Sequence, residues 1–486
     1  MNLNLRTRTI TNLFWKFAER SGAQLVQFIV SLILARLLLP EDYGLISLVL
    51  VLTQIVQVFV DSGLGNALIQ KKDVDDTDFS SVFYFNLTLC ILLYILIFLF
   101  SPFIASFYGS VELTGIIRVL SLTIIISGLK NVQQAYVSKT LQFKKFFFST
   151  LGGTCVSAVI GISLAYLGFG YWALVFQKLF NQLVDTLILW ITVKWRPKRV
   201  FSIKKLKDLI SYGWKLLVSS LIDTLYTNLR QLLIGKMYSS ADLAFYNQGN
   251  QFPNFVVSNI NSSIDSVLLP IMSQEQDNTT TVKKMVRRSI KISTYIMAPL
   301  MIGLAACSSE IVEVFLTSKW LPCVPYLRIF CITYMFYPIH TANLNAIKSL
   351  GRSDIFLKLE ILKKIVGVTI LFSTIQFGVL VMAYSLLLSS FLSQLINSWP
   401  NKKLLNYGYV EQLIDILPSI AIALIMGACV LVVNVFELPA AITLILKVIF
   451  GALLYILISV VFKIDSFFFL WDIVKAFFYK WKGQAR

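Results

Sequence analysis

Runs of about 20 apolar residues recur along the chain between short polar turns, and each is long enough to cross a bilayer as a helix. They predict helices near 13–37, 43–69, 79–104, 113–138, 146–167 and 170–193. A second series falls near 209–236, 242–270, 287–307, 323–348, 356–376 and 378–399, and two more follow near 412–434 and 439–462. The expected fold is an all-α polytopic membrane protein of about 14 transmembrane helices. The closing stretch "IDSFFFLWDIVKAFFYKWKGQAR" (Ile464 to Arg486) is too broken to span. Its Phe and Trp interleave with Lys475, Lys480 and Lys482, as in an amphipathic helix lying in the cytoplasmic interface.

Charge supports this count, because a missed span would scramble the alternation of basic loops. One side collects Lys71 and Lys72, then Lys139, Lys144 and Lys145, then the run from Lys194 to Lys207. The same side holds Lys283, Lys284, Arg287 and Arg288, then Lys348, Arg352 and Lys358, then Lys402 and Lys403. Loops on the other side, such as SFYGSVEL and LGFG, are nearly free of basic residues; Arg36, Lys236 and Lys319 are the exceptions. Both termini are therefore expected in the cytoplasm. MNLNLRTRT runs directly into a polar-striped helix, with no small-residue cleavage site of a signal peptide.

The pattern also repeats. "FWKFAERSGAQLVQ" aligns with "YGWKLLVSSLIDTLY" at an offset of 199, and "VDSGLGNALIQ" with "INSSIDSVLLP" at 200. "IIRVL" (116–120) then matches "YLRIF" (326–330) at 210, and the "LGFG" turn falls opposite "FGVL". Four weak similarities in one order predict a duplication of six helices. An even number per repeat implies two six-helix lobes related by a pseudo-two-fold axis along the membrane normal, around a central cavity. The expected divisions are a first lobe at 1–195, a basic cytoplasmic linker at 196–208 and a second lobe at 209–403. Two extra helices at 404–462 and the tail at 463–486 complete the 6+6+2 plan.

Within this apolar background the polar residues form ladders. An ionised group at mid-membrane costs roughly 2.5–3.5 kcal/mol on insertion scales, so each needs a reason. In the first helix Lys16, Arg20, Gln24, Gln27 and Ser31 step by three or four and share one face. The repeat offset carries them to Lys215, Ser219, Asp223, Tyr226 and Arg230. The second helix carries Gln54, Gln57 and Asp61; its counterpart carries Asn254, Ser258, Asn261 and Asp265. Lys130 and Gln134 mark the fourth helix, and His340 and Asn343 the tenth. Singly, these groups are explained by interhelical hydrogen bonds, or by snorkelling for Lys16, Lys215, Arg36 and Arg230 near helix ends. Glu19 beside Arg20 is a ready neutraliser, and His340 alone reads as a packing residue. Matched polar faces on the first two helices of both lobes favour a wet cavity.

Composition narrows the chemistry. The chain has 486 residues, 57% hydrophobic and 14% charged, which excludes a soluble globular protein of this size. A net charge of +18 suggests nucleic acid until the basic residues are mapped; they lie between apolar segments, so no nucleic-acid partner is expected. One histidine and no clustered ligands leave no metal or cofactor expected. The six cysteines show no CxxC pair and read as packed thiols, with Cys307 and Cys323 flanking one outer loop as the alternative pair. The acidic run "KKDVDDTDF" (71–79) reads as a solvated turn, and no Walker A motif is present. No paired-carboxylate catalytic centre is visible, and the chain is expected not to be an enzyme.

The opening "FWKFAERSGAQLVQFIVSLILARLLLPEDYGLISLV", its ARxLxPxDYG segment (Ala35 to Gly44) and "DSGLGNALIQ" (Asp61 to Gln70), set in the 6+6+2 plan, resemble the polysaccharide-transporter branch of the multidrug/oligosaccharidyl-lipid/polysaccharide exporter superfamily. Within that branch the likeness is to Wzx/WzxC-type bacterial flippases, over nearly the whole chain. The resemblance implies an inner-membrane flippase that moves undecaprenyl-diphosphate-linked oligosaccharide repeat units to the periplasmic leaflet by alternating access. It also makes polysaccharide polymerase machinery a candidate partner, and six-plus-six symmetry makes a monomer the default. For such cargo the diphosphate candidates are Lys16, Arg20, Lys130 and Lys215, because charge-assisted bonds are strong in a low-dielectric cavity. Sugar-contacting or cavity-lining candidates are Gln24, Gln27, Gln54, Gln57, Tyr226, Asn254 and Asn261. Asp61, Asp223 and Asp265 are the ion-coupling candidates. A cation-coupled multidrug exporter and a membrane polysaccharide polymerase are the competing readings; the cationic stripe and the short outer loops weigh against them.

Overall fold

The computed structural model describes residues 3–61 and 63–484, without the side chains of 3–14, 16, 17, 20, 212 and 477–484. Among the described residues every regular element is helical. The first series comprises α1 (Leu3–Leu37), α2 (Pro40–Asp61), α3 (Leu64–Gln70), α4 (Asp76–Tyr108), α5 (Glu112–Leu120), α6 (Leu122–Lys139), α7 (Lys144–Tyr166) and α8 (Tyr171–Thr192). It is followed by α9 (Ile203–Met237), α10 (Ser240–Gln274), α11 (Thr279–Ala306), α12 (Ser308–Leu316), α13 (Val324–Met335) and α14 (Tyr337–Ser349). The chain ends with α15 (Ser353–Thr374), α16 (Val379–Leu405), α17 (Tyr409–Val432), α18 (Ala440–Val461) and α19 (Asp465–Gln484).

All fourteen expected segments are helical, but three of them are broken. The second divides into α2 and α3, the fourth into α5 and α6, and the tenth into α13 and α14. Ten helices among the described residues have the length and apolar composition to cross a membrane. Outside that ten lie α1, in which Ser21–Leu37 forms a shorter apolar stretch, α9, α13 with α14, and α15. This is a multi-pass membrane protein.

Packing groups residues 1–244 in one compact unit and 245–486 in another, the boundary falling inside α10. In the first unit α7 packs on α1 and α8, α4 on α5 and α6, and α9 on α2, α3 and α4. Small residues bring α9 close. A Cβ on Gly235 of α9 would lie 2.2 Å from the Leu48 side chain of α2, and Gly63 and Gly213 meet backbone to backbone. In the second unit α11 packs on α13, α14 and α17, and α17 on α18. There Lys447, fully buried on α18, donates to Glu310 of α12 at 2.6 Å. A buried amide network of Asn343, Ser398, Asn401 and Gln412 joins α14, α16 and α17. His340 is satisfied by the Asn397 amide at 3.0 Å.

The same local devices occur in both units, their arginines and left-handed residues 210 positions apart. Arg118 donates to Ser101 at 2.9 Å, and Arg328 to Ser308 at 2.8 Å. α6 and α14 each end on a left-handed residue, Leu141 (φ 56°) and Gly351 (φ 71°). In both, the following N–H donates back to the last turn, Gln142 to Val137 and Arg352 to Ile347. Gly168 and Gly378 share positive φ as well.

One expectation needs correction. The acidic run 71–79 is not a free solvated turn. Asp75 and Asp78 form a capping box at the start of α4, and Asp78 is buried against Lys71 at 2.8 Å. Asp76 pairs with Lys198, and Asp75 with Lys205. The backbone N–H groups of Lys198 and Ser202 donate to Ser80 and Ser81, and Trp195 packs on Phe79 and Tyr136. The linker is thus strapped to the start of α4. The cysteines are free thiols as expected, with Cys90, Cys307, Cys323 and Cys331 buried and the alternative Cys307–Cys323 pair not formed. The tail is helical, with Phe467 and Trp471 stacked and Arg288 lying 3.6 Å over Phe469.

Two outcomes follow. Leu141 occupies a conformation that costs a side-chain-bearing residue about 1–2 kcal/mol, partly offset by glycine's greater unfolded-state freedom. Leu141→Gly should therefore stabilise by about 0.5–1 kcal/mol and Gly351→Ala destabilise by about 1 kcal/mol, read by thermal unfolding in detergent. The Lys205 ammonium and the Asp78 N–H hold the Asp75 carboxyl down at about 2. Its contribution is complete above the ordinary carboxylate range and fades as pH falls toward 2. At neutral pH Asp75→Ala should remove about 1 kcal/mol of capping and speed tryptic cleavage at Lys198 and Arg199.

Candidate functional site

Three helices of the first unit present polar stripes, and the stripes converge. α2 contributes Thr53, Gln54, Gln57 and Asp61, positions that repeat at helical spacing on one face. α6 contributes Ser127, Lys130, Asn131, Gln134 and Ser138. α8 contributes Lys178, Asn181 and Gln182, continued one turn on by Asp185. With Asn66 of α3 they enclose a cavity of about 470 Å³. A second cavity of about 460 Å³ lies between α2 and α9, walled by Gln54, Gln57 and Asp61 on one side and Ser220, Asp223, Thr227 and Asn228 on the other. The face of α2 that carries Asp61 therefore borders both.

Hydrogen bonds fix these walls. Gln57 Nε2 donates to Asp61 Oδ1 at 2.9 Å. Asn131 Nδ2 donates to the Val60 carbonyl at 3.1 Å and to Asp61 Oδ1 at 3.3 Å, tying α6 to the end of α2. Lys130 Nζ reaches Asp185 Oδ2 at 3.0 Å and Gln182 Oε1 at 3.3 Å. Gln182 Nε2 donates to Ser127 at 2.8 Å, and Trp190 Nε1 to the Leu129 carbonyl at 3.1 Å, closing α6 on α8. Asn181 reaches back to Ser157 of α7 at 3.1 Å. The result is a hydrogen-bonded polar cavity within apolar helices. It can bind a polar, charged ligand while apolar parts of that ligand stay outside.

The expected site residues fall into groups. Lys130, Gln54, Gln57 and Asp61 are brought together in the larger cavity, and Asp223 joins Gln54, Gln57 and Asp61 at the smaller one. Gln134 lines the larger cavity too. The side chains of Lys16 and Arg20 lie outside the described residues. Gln24 is half-buried and Gln27 exposed on α1, and neither lines these two cavities. Lys215 is exposed and Tyr226 half-buried on α9. In the second unit Asn254 and Asp265 are exposed on α10, and Asn261 is half-buried. The sequence reading missed the α8 wall altogether. Lys178, Asn181, Gln182 and Asp185 stand at i, i+3, i+4 and i+7, the signal that would have found it.

The helical architecture and the polar cavity define a multi-pass membrane protein. The profile of the polysaccharide biosynthesis protein family matches residues 33–325, more than half of the chain, and the protein belongs to that family. It is 25% identical over 420 residues to the teichuronic acid biosynthesis protein TuaB of Bacillus subtilis, covering 84% of this chain and 86% of that one. It is 24% identical over 371 residues to the lipopolysaccharide biosynthesis protein WzxC of Escherichia coli, covering 74% of each. The fold matches that of the lipid II flippase MurJ in its inward closed conformation. The TM-score is 0.76 at 16% identity, over 93% of this chain and 99% of MurJ.

The Lys130–Asp185 pair is nearly buried, so removing one partner strands a charge, at a cost of about 3–5 kcal/mol. Lys130→Met and Asp185→Leu should each lower thermal stability strongly. The double variant should recover most of the loss, and a double-mutant cycle in detergent measures the difference.

Proposed function

We propose that the protein is a flippase that carries undecaprenyl-diphosphate-linked oligosaccharide repeat units from the cytoplasmic to the periplasmic leaflet of a bacterial inner membrane, for surface polysaccharide biosynthesis. The observation that carries this reading is the polar chamber built into the membrane helices of the first unit. A sugar–diphosphate headgroup needs amides, hydroxyls and cations in a low-dielectric surrounding, and α2, α6 and α8 supply all three. The lipid tail needs none of these and stays among apolar side chains. Family membership and the names of the relatives, teichuronic acid and lipopolysaccharide biosynthesis proteins and a lipid II flippase, support the same cargo class.

The finer assignments belong to the proposal. Lys16, Arg20, Lys130 and Lys215 serve the diphosphate, and Gln24, Gln27, Gln54, Gln57, Tyr226, Asn254 and Asn261 the sugars. Asp61 and Asp223, which border one cavity, are the first candidates for ion coupling, with Asp265 third. The lobes are residues 1–195 and 209–403, joined by 196–208 and followed by 404–462 and 463–486; the paired Arg–Ser bonds and left-handed caps, their arginines and left-handed residues 210 positions apart, support this duplication. Transport is by alternating access, both termini are cytoplasmic, and the protein acts as a monomer that supplies a polysaccharide polymerase and catalyses no covalent step itself.

Deletion of the gene in its native host, followed by mass spectrometry of undecaprenyl-diphosphate-linked glycans, tests the reading. The expected result is accumulation of complete single repeat units with loss of surface polymer. Single units at the outer face without polymer would indicate a polymerase. Unchanged glycans would overturn the cargo assignment.

A further inference from the structure

The larger cavity holds two charges that its internal network leaves uncompensated. Both Lys130 and Lys178 line it, but only Lys130 is neutralised, by Asp185 at 3.0 Å. Among the described residues Lys178 makes neither a hydrogen bond nor an ion pair. It stands seven residues into the 22-residue α8, about 10 Å from one end and about 21 Å from the other. That depth exceeds the reach of its four-carbon stem, so snorkelling to either end is closed to it. An ammonium facing hydrocarbon there would cost roughly 2.5–3.5 kcal/mol. Its place on the polar face of α8, beside Asn181, instead turns it to the chamber.

Asp61, on the α2 wall, is the counterpart. Its Oδ1 receives the Gln57 and Asn131 amides, and among the described residues no cation pairs with it. A cation and an anion therefore share one space without meeting. A ligand that satisfies both must offer acceptor oxygens carrying negative charge and hydroxyl donors together. An apolar ligand would strand both charges, and a simple cation would leave the ammonium unpaired. About 470 Å³ is within the roughly 300–1,000 Å³ of small-ligand sites, so one headgroup portion fits, and a whole repeat unit is not required to.

We infer that this cavity is a glycosyl-phosphate subsite: Lys178 contacts the phosphate that carries the first sugar, and Asp61 accepts hydrogen bonds from that sugar's hydroxyls. Lys130, tied to Asp185 and Gln182, holds α6 against α8 and meets the diphosphate as an already neutralised group, so the open charge is that of Lys178. The inference rests on the flippase reading and deepens it.

The test is calorimetric titration of the full-length protein in detergent with farnesyl diphosphate, with farnesyl diphosphate bearing one glucose, and with farnesol. The wild type should bind both diphosphates, the glucosylated one more tightly, and farnesol weakly. Lys178→Gln should weaken both diphosphates at least tenfold and leave farnesol unchanged, while Lys178→Arg stays within threefold of wild type. Lys178→Met is read beside the Gln variant, so that a folding loss in one leaves the other informative. Asp61→Asn should weaken the glucosylated probe at least fivefold and farnesyl diphosphate by less than threefold. Wild-type affinity in both Lys178 variants would overturn the subsite and leave the flippase reading standing. Equal losses on both diphosphate probes in Asp61→Asn would overturn the sugar contact. Failure of the wild type to bind either diphosphate would overturn the subsite together with the cargo assignment, which the gene-deletion glycans then judge independently.

Discussion

The structure depends on one constraint: a charged or amide side chain on a membrane helix cannot be left facing hydrocarbon. Three helices of the first unit carry such groups at helical spacing, and each must turn that face toward the others. Lys130 finds Asp185, Asp61 finds Gln57 and Asn131, and Gln182 finds Ser127. Satisfying these groups builds the chamber. The low-dielectric surroundings that make an unpaired group expensive also strengthen whatever bond a ligand forms there. Holding the helices together and binding cargo therefore use the same residues, some already paired and others still open.

The helices were legible in the sequence because their signal is simple: long apolar runs and alternating basic loops. The stripes of α2 and α6 were legible because three- and four-residue steps can be counted. α8 adds to the first unit a polar wall that the sequence reading did not include. Its polar face was equally countable but was overlooked, since Lys178 and Asp185 are set among Leu, Phe and Val. The break at Ser121 carries no proline or glycine to announce it, whereas Pro338 at the start of α14 marks the one at Phe336. The pairing of Lys130 with a carboxylate 55 residues away is set by packing, which no local pattern encodes.

The acidic run 71–79 teaches the same lesson from the other side. A charge cluster in a short loop is usually solvated, but the basic linker, distant in sequence, is folded against it. Aromatic packing of Trp195 with Phe79 and Tyr136 completes the join. The excess of basic residues in these loops thus does two things at once: it biases orientation in the membrane and it ties the linker to the start of α4. The arginine–serine bonds and left-handed caps recur in both units with the same turn chemistry.

The central claim, that this chamber serves the passage of a lipid-linked sugar diphosphate, is tested most directly in reconstituted liposomes. A short polyprenyl-diphosphate-linked oligosaccharide with a fluorophore on its sugar would be placed in both leaflets, and the fraction quenched by an impermeant external reductant followed over time. The account predicts that inner-leaflet lipid becomes quenchable only when the protein is present, under at least one of an imposed proton gradient, a sodium gradient or a membrane potential. Quenching that stops at the outer-leaflet fraction under all three, with folded protein in the membrane, would contradict it.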